Sequence, residues 1–133
     1  MGAASNNITQ RVLDSIFNGQ AFTPPSSLWF ALFNTDPTAA NTGIEVSGSG
    51  YARVQIPSMT FAALMGGKMT TSNNAKVTLP RATGAWTAAN FWAIFDAQTG
   101  GNLIAKEALL VGATVANGQQ PEFDVGDLVI TLE

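Results

Sequence analysis

The chain has 133 residues, which suits one domain spanning 1–133 with a core of its own. Apolar residues make up 46% and charged residues 11%, against about 25% charged in an average soluble protein; small neutral side chains or another protein must cover much of the surface. There is no Cys and no His, which excludes thiolate nucleophiles, disulfides, imidazole bases and nearly all zinc or copper chemistry.

The net charge is −3, and the six basic residues (Arg11, Arg53, Lys68, Lys76, Arg81 and Lys106) are scattered. Gripping nucleic acid or an anionic membrane needs clustered Lys and Arg, so neither partner is expected. No segment reaches the roughly 18 apolar residues of a membrane span. The N-terminus lacks the basic-then-apolar pattern of a secretory signal.

In chain order, the first expected element is an amphipathic helix over residues 5–19. Ser5 can cap its start. Ile8, Val12, Leu13, Ile16 and Phe17 form one apolar stripe at the helical period. Asn18-Gly19 supplies a left-handed stop, and Pro24-Pro25 forbids further helix. The helix reads as a lid on the core or as an arm docking on a neighbouring subunit.

From residue 26 to 133 the signals are β. The runs Leu28–Phe33 and Phe91–Phe95 are apolar on both faces, as in strands buried on both sides. Their Trp29, Phe30, Leu32, Phe91, Trp92, Ile94 and Phe95 are the expected core. Tyr51–Ile56 alternates, with Tyr51, Arg53 and Gln55 on one side. Further strands are expected at Lys76–Leu79, Leu103–Leu109 and Leu128–Leu132, and weaker ones near Met59–Ala62, Met69–Thr71 and Glu122–Phe123. Turn chemistry separates them: Asp36-Pro37, Ser47-Gly48-Ser49-Gly50, Gly66-Gly67, Asn73-Asn74, Thr99-Gly100-Gly101 and Asn117-Gly118. No internal repeat or linker divides the chain. The pattern predicts a mainly β fold, an antiparallel sandwich (jelly-roll-like or immunoglobulin-like) of six to nine strands with one N-terminal helix.

Carboxylate pairs are the remaining catalytic option, but the acids sit in turns and at strand ends, where solvated carboxylates normally lie. Glu122, Asp124 and Asp127 around Gly126 could bind Ca²⁺, yet they lack the twelve-residue calcium-loop pattern and read as an ordinary turn. Gly48-Ser49-Gly50 and Gly66-Gly67-Lys68 lack the phosphate-loop spacing. Trp29, Trp86 and Trp92 could stack on sugars, but two of the three lie in core-like runs. No catalytic residue, cofactor or metal is therefore expected.

Several blocks together resemble a known family. They are Pro25 to Thr38 (PSSLWFALFNTDPT), Gly43 to Arg53 (GIEVSGSGYAR), Val77 to Pro80, Gly84 to Trp86, Ala93 to Leu103 (AIFDAQTGGNL) and the closing Val115 to Gly118 and Phe123 to Leu132. Over most of its length the chain resembles a family of small tailed-bacteriophage virion proteins of about 130 residues, often labelled tail fibre proteins. Small all-β proteins of this size also serve as capsid decoration, or cement, proteins. Within this frame Glu45 and Arg53 are placed to pair across the Gly-Ser-Gly turn. An exposed pair would add only ~0–1 kcal/mol, so its value would lie in loop geometry. Asp96 to Asn102 reads as a hairpin loop whose two glycines take positive φ.

The resulting expectation is a non-enzymatic virion protein, assembled in the host cytoplasm and placed on the capsid exterior or the tail. The main reading is capsid decoration, in which apolar and neutral polar surface is buried between subunits. One alternative is a tail-fibre or baseplate-adaptor subunit, and another is a carbohydrate-binding β-sandwich, which an exposed Trp86 would favour. Expected partners are copies of itself, as a trimer or dimer, and the major capsid protein or tail proteins. The expected contact residues are Ile8, Val12 and Ile16 on the helix, and Asp36, Glu45, Tyr51 and Arg53 in and beside the long loop Thr35–Gly50.

Overall fold

Two apolar runs organise the molecule. In the computed structural model, which describes residues 2–131, they form β2 (Trp29–Phe33) and β7 (Ala89–Phe95), paired antiparallel in the main sheet, second and third strands from one of its edges. Because side chains alternate across a strand, the register places Phe30 opposite Ile94 and Leu32 opposite Trp92. These four join Val77, Leu79 and Leu128 in the larger core cluster. The intervening Ala31, Phe33, Ala93 and Phe95 build a second cluster with Leu103 on the opposite face. Both faces are buried, as the unbroken apolar runs require. Trp29 and Phe91, expected in the core, are only half-buried because they sit where the paired runs meet solvent.

The remaining elements are β1 (Gly2–Ala4), α1 (Asn6–Asn18), β3 (Val54–Gln55), β4 (Ala63–Met65), β5 (Lys68–Ser72), β6 (Val77–Thr78), β8 (Leu103–Ala113), β9 (Glu122–Phe123) and β10 (Val129–Thr131). Eight strands form one sheet in the order β3-β2-β7-β8-β1-β10-β5-β4, and β6 pairs with β9 apart from it. The protein is mainly β with one N-terminal helix, a sandwich-like arrangement.

Several expectations are corrected in detail. There are ten strands among the described residues instead of six to nine, because several ladders run for only two or three residues. The sheet is not wholly antiparallel: β1 runs parallel to β10. Nor is it confined to residues 26–133, because Gly2–Ala4 slots between β8 and β10. Nothing in Gly-Ala-Ala signals a strand, since its side chains bury little. Gly2 is there because Trp92 lies beneath it, and a Cβ at this position would meet the indole at 2.7 Å. Tyr51–Ile56 contributes only Val54 and Gln55 to the ladder. The strand expected at Met59–Ala62 is reduced to a bridge from Met59 to Asn73, and the ladder starts at Ala63. Leu132, expected to end the last strand, lies outside the described residues.

Helix α1 has the ends its sequence specifies. The Ser5 hydroxyl accepts from the Ile8 N–H at 3.3 Å and donates to the Leu103 carbonyl, tying the cap to β8. Gly19 closes the helix at φ 66° and donates to the Asp14 carbonyl. The chain then turns back: Arg11 donates to the Thr23 carbonyl at 2.8 Å and stacks its guanidinium over Phe22. The helix covers the core less than a lid would, since none of its residues is fully buried.

Candidate subunit-contact surfaces

The residues Glu45, Tyr51 and Arg53 come together beside β2. Arg53 Nε and Nη2 donate to Glu45 Oε1 and Oε2, each at 2.9 Å. Arg53 Nη1 donates to the carbonyls of Ala97 and Gly100, at 3.0 and 2.8 Å. The guanidinium lies 3.8 Å from the centre of the Phe95 ring. Planar, forked and always charged, it is the one side chain able to make all these contacts at once. The expected pairing is present, but the expected exposure is not: the Arg53 side chain is 8% exposed. It roofs the second core cluster and fastens the Asp96–Asn102 hairpin loop to the Glu45 segment.

Tyr51 completes the cluster. Its hydroxyl donates to Glu45 Oε1 at 2.7 Å and accepts from the Leu32 N–H at 3.1 Å, while its ring meets Trp86 edge-on. Burial pushes the Tyr51 hydroxyl pKa far up, and the Glu45 carboxylate adds to this, so the phenol stays protonated. These residues brace the loop, and a shallow groove of ≈ 330 Å³ runs beside them.

The long loop from Thr35 is less irregular than its composition suggests. Val46 donates to the Leu32 carbonyl and is itself buried, so the second half of the loop lies along β2. At the loop's start Asp36 accepts from the Thr38 N–H at 2.8 Å and from Lys106 at 3.0 Å. The Thr38 bond, and then the Lys106 ammonium, hold the Asp36 carboxyl below its usual range.

On the helix, Ile8 and Val12 are half-buried, whereas Ile16 is 68% exposed and Phe17 75%. The stripe therefore dips under at its N-terminal end and emerges into solvent at the other. Trp86 is buried and donates its indole N–H to the Ser49 carbonyl, so it offers no stacking face.

Asn73 is a hub that sequence reasoning treated only as turn chemistry. Fully buried, it donates to the carbonyls of Ala75 and Asp124 and accepts from the Leu128 N–H, each at 2.9 Å. Two of those partners lie more than fifty positions away, so no local pattern could reveal them. Beside it, Lys76 bridges Glu122 and Asp124 at 3.2 and 3.5 Å, and Asp127 accepts from the Asp124 N–H. Among the described residues no group of three or more acidic side chains is arranged to hold a metal ion.

Several large apolar side chains also stand exposed. Phe61, Leu64, Met65 and Met69 stand out on and beside the β4–β5 hairpin, and Leu110 and Val111 on the far half of β8. Next to Leu110 an open groove of ≈ 510 Å³ has Trp92, Phe123 and Leu128 among its lining residues. No helix among the described residues is long and apolar enough to cross a membrane.

A mainly β module whose polar clusters brace loops, and whose exposed patches are apolar, is a building block of a larger assembly. A family model described as Podophage GP4 fiber I protein gp80 matches residues 3–131. The chain belongs to that family of phage fibre proteins and is a structural component of a virion, as the sequence resemblance implied. No curated protein matches it.

Proposed function

We propose that the chain is a non-enzymatic subunit of a phage tail fibre, acting by packing against neighbouring fibre or tail subunits. The family match over residues 3–131 carries this reading and supports the fibre alternative more than capsid decoration. The surface agrees with it. A protein with 11% charged residues and a series of exposed large apolar side chains gains stability by covering them. The polar clusters serve a mechanical role: Arg53 and Asn73 lock loops whose positions a contact surface would require.

The carbohydrate-binding reading has less support, because Trp86 is buried and Trp92 is in the core. Immunogold microscopy of intact virions, with antibody to this chain, tests the proposal. Label along the tail or its fibres is expected. Label spread over the capsid shell would replace fibre with decoration, and virions without label would overturn both.

A further inference from the structure

The β4–β5 hairpin closes on a two-residue turn in which Gly66 and Gly67 take positive φ, 58° and 82°. Such a turn makes the flanking Met65 and Lys68 a hydrogen-bonded pair. The alternation of an antiparallel ladder then turns the Leu64 N–H and C=O away from β5. β4 is an outermost strand of the sheet, and among the described residues it pairs with β5 alone. Its outward edge is a template for a further strand, and β4 carries neither the charge nor the proline that commonly blocks such an edge.

Just ahead of β4 the chain carries an extra residue. Met59 stands opposite Asn73 and Ala63 opposite Thr70, so Phe61 and Ala62 together oppose Thr71. This is a β-bulge, which interrupts the ladder and re-aims a side chain; the Phe61 ring is 99% exposed. The edge open to pairing is therefore short. It is Ala63–Met65, with Phe61 beyond one end and Gly66-Gly67 beyond the other.

This segment is complementary to itself. Laid antiparallel on a second copy about a two-fold axis at Leu64, it sets Leu64 opposite Leu64, Ala63 opposite Met65, Ala62 opposite Gly66 and Phe61 opposite Gly67. Each large side chain meets a small residue or its own copy. A Cβ on Gly66 or Gly67 would meet nothing within 4 Å, so the turn leaves room for a ring across it. Leu64 faces Met69 across each hairpin, and the axis joins the two pairs into one apolar row. No residue from Val54 to Gly67 is charged, so the axis brings no like charges together, which would penalise a charged edge paired with itself.

We infer that β4 of one copy pairs antiparallel with β4 of a second copy about a two-fold axis at Leu64, joining the two sheets edge to edge. This rests on the packing role proposed above and names a surface for it. The same edge is used by both copies, so the contact closes as a dimer. Two Phe61 rings would take about 300–500 Å² from water, and Leu64 and Met65, each more than half exposed, flank them in both copies. Specific interfaces begin near about 1,200 Å² in total, so the pair lies at the small end of that range. It is weak between free chains and strengthened where an assembly holds many copies together.

Sedimentation of the purified chain over a wide concentration range tests the contact, and cysteine cross-linking tests its register. Wild type should form a two-chain species as concentration rises. Leu64→Asp sets two carboxylates against each other and should weaken that association at least tenfold, with the wild-type circular dichroism spectrum; Leu64 is 72% exposed, so the change does not burden the core. The chain has no Cys, so a single one reports on its own position. Cys residues from Leu64→Cys lie opposite each other, at about 5.5 Å between Cα atoms, within disulfide reach. Those from Ala63→Cys lie two residues out of register, at about 7–8 Å, beyond it. Under mild oxidation Leu64→Cys should reach two-chain mass at least tenfold faster than Ala63→Cys. Should Leu64→Asp fail to fold, this pair of variants still decides. The inference is overturned if wild type stays at single-chain mass throughout, if folded Leu64→Asp associates like wild type, or if the two Cys variants cross-link at equal rates. Any of these results together with gold label on the tail would leave the fibre reading standing and remove only the self-contact.

Discussion

Arg53 and Glu45 face each other with two parallel hydrogen bonds of 2.9 Å, and the same guanidinium lies over Phe95 while its remaining nitrogen holds the hairpin loop. Such a forked, charge-assisted arrangement is worth more than an exposed ion pair because water screens it little. Removing Arg53 leaves the Glu45 carboxylate partly buried without its counter-charge, held only by the Tyr51 hydroxyl. Arg53→Ala is expected to cost about 2–4 kcal/mol, toward the low end for breaking a buried pair because Glu45 keeps some solvent. Arg53→Lys retains the charge but not the fork, and should recover about half of that loss. Urea unfolding of the three proteins checks the order. Equal stability of the Arg53→Lys variant and wild type would show that charge alone matters here.

The second expectation concerns the two faces of β7. Trp92 packs in the larger cluster and Phe95 in the smaller, both nearly inaccessible. Truncating either to Ala removes a large buried ring and leaves a cavity, for about 3–5 kcal/mol. The two changes lie on opposite faces, so their effects should add to within about 0.5 kcal/mol. Strong coupling in the double variant would mean that the two clusters behave as one.

These strands also show what the sequence makes legible. An apolar run without alternation, bounded by turns, identified β2 and β7 and the burial of both their faces. Ser5 and Gly19 marked the helix ends because capping is local chemistry. Gly100 and Gly101 marked the β7–β8 hairpin, where both take positive φ. Features made by distant partners stayed hidden. The strand at Gly2–Ala4 exists because β8 and β10 leave a lane that Trp92 narrows to a glycine. The hub at Asn73 depends on Asp124 and Leu128. The pairing of Glu45 with Arg53 across their turn could be expected, but not the burial that turns Arg53 inward or the place of Tyr51 beside them. The Gly66-Gly67 turn was legible, but the exposure of Leu64 beside it was not, because apolar residues in a weak strand look like core until their neighbours are known.

Asn73 gives a third expectation. Asn73→Ala removes two donations and strands the Leu128 N–H inside the protein. An unsatisfied buried group costs about 1–3 kcal/mol, beyond the hydrogen bonds lost. We expect a total of about 3 kcal/mol by thermal or urea unfolding. Asn73→Asp keeps the acceptor for Leu128 but places a carboxylate oxygen against two carbonyls, and should be no better. Wild-type stability in either variant would remove the hub role.

Acid stability follows from Asp36 and Asp96. The Thr38 N–H and then Lys106 lower the Asp36 pKa. For Asp96 burial is the largest single influence and pushes upward, but the bonds from the Asn102 backbone and side chain, with that of its own backbone N–H and the charge of Arg11, together outweigh it, so the net shift is also downward. A carboxylate whose folded pKa lies below its ordinary value of 3.8 binds its proton more weakly when folded. Its contribution is present above that value and is lost as pH falls through the folded pKa. The melting temperature should therefore fall as pH drops below about 4, and Asp36→Asn with Asp96→Asn should flatten that fall. An identical acid profile in the double variant would assign the loss to other carboxylates.

The last expectation separates surface from core on the helix. Ile16 and Phe17 lie in the apolar stripe, yet the stripe has risen into solvent by the time it reaches them. A side chain that stays exposed in the folded chain contributes little to folding, so Ile16→Lys with Phe17→Lys should change stability by no more than about 0.5 kcal/mol. Ile8 lies half-buried near the capped end, where Ser5 ties the helix to β8, so Ile8→Lys should cost more, about 1–2 kcal/mol. The double change nevertheless introduces two charges into an apolar patch, and a partner that covers the patch would have to desolvate them. Incorporation into virions should therefore fall while the melting temperature holds. This can be measured by complementing a phage that lacks the gene and blotting purified particles for the chain. Normal incorporation of the double variant would exclude the outer end of the helix as a contact surface, whereas a large loss of melting temperature would show that these side chains are packed within the subunit.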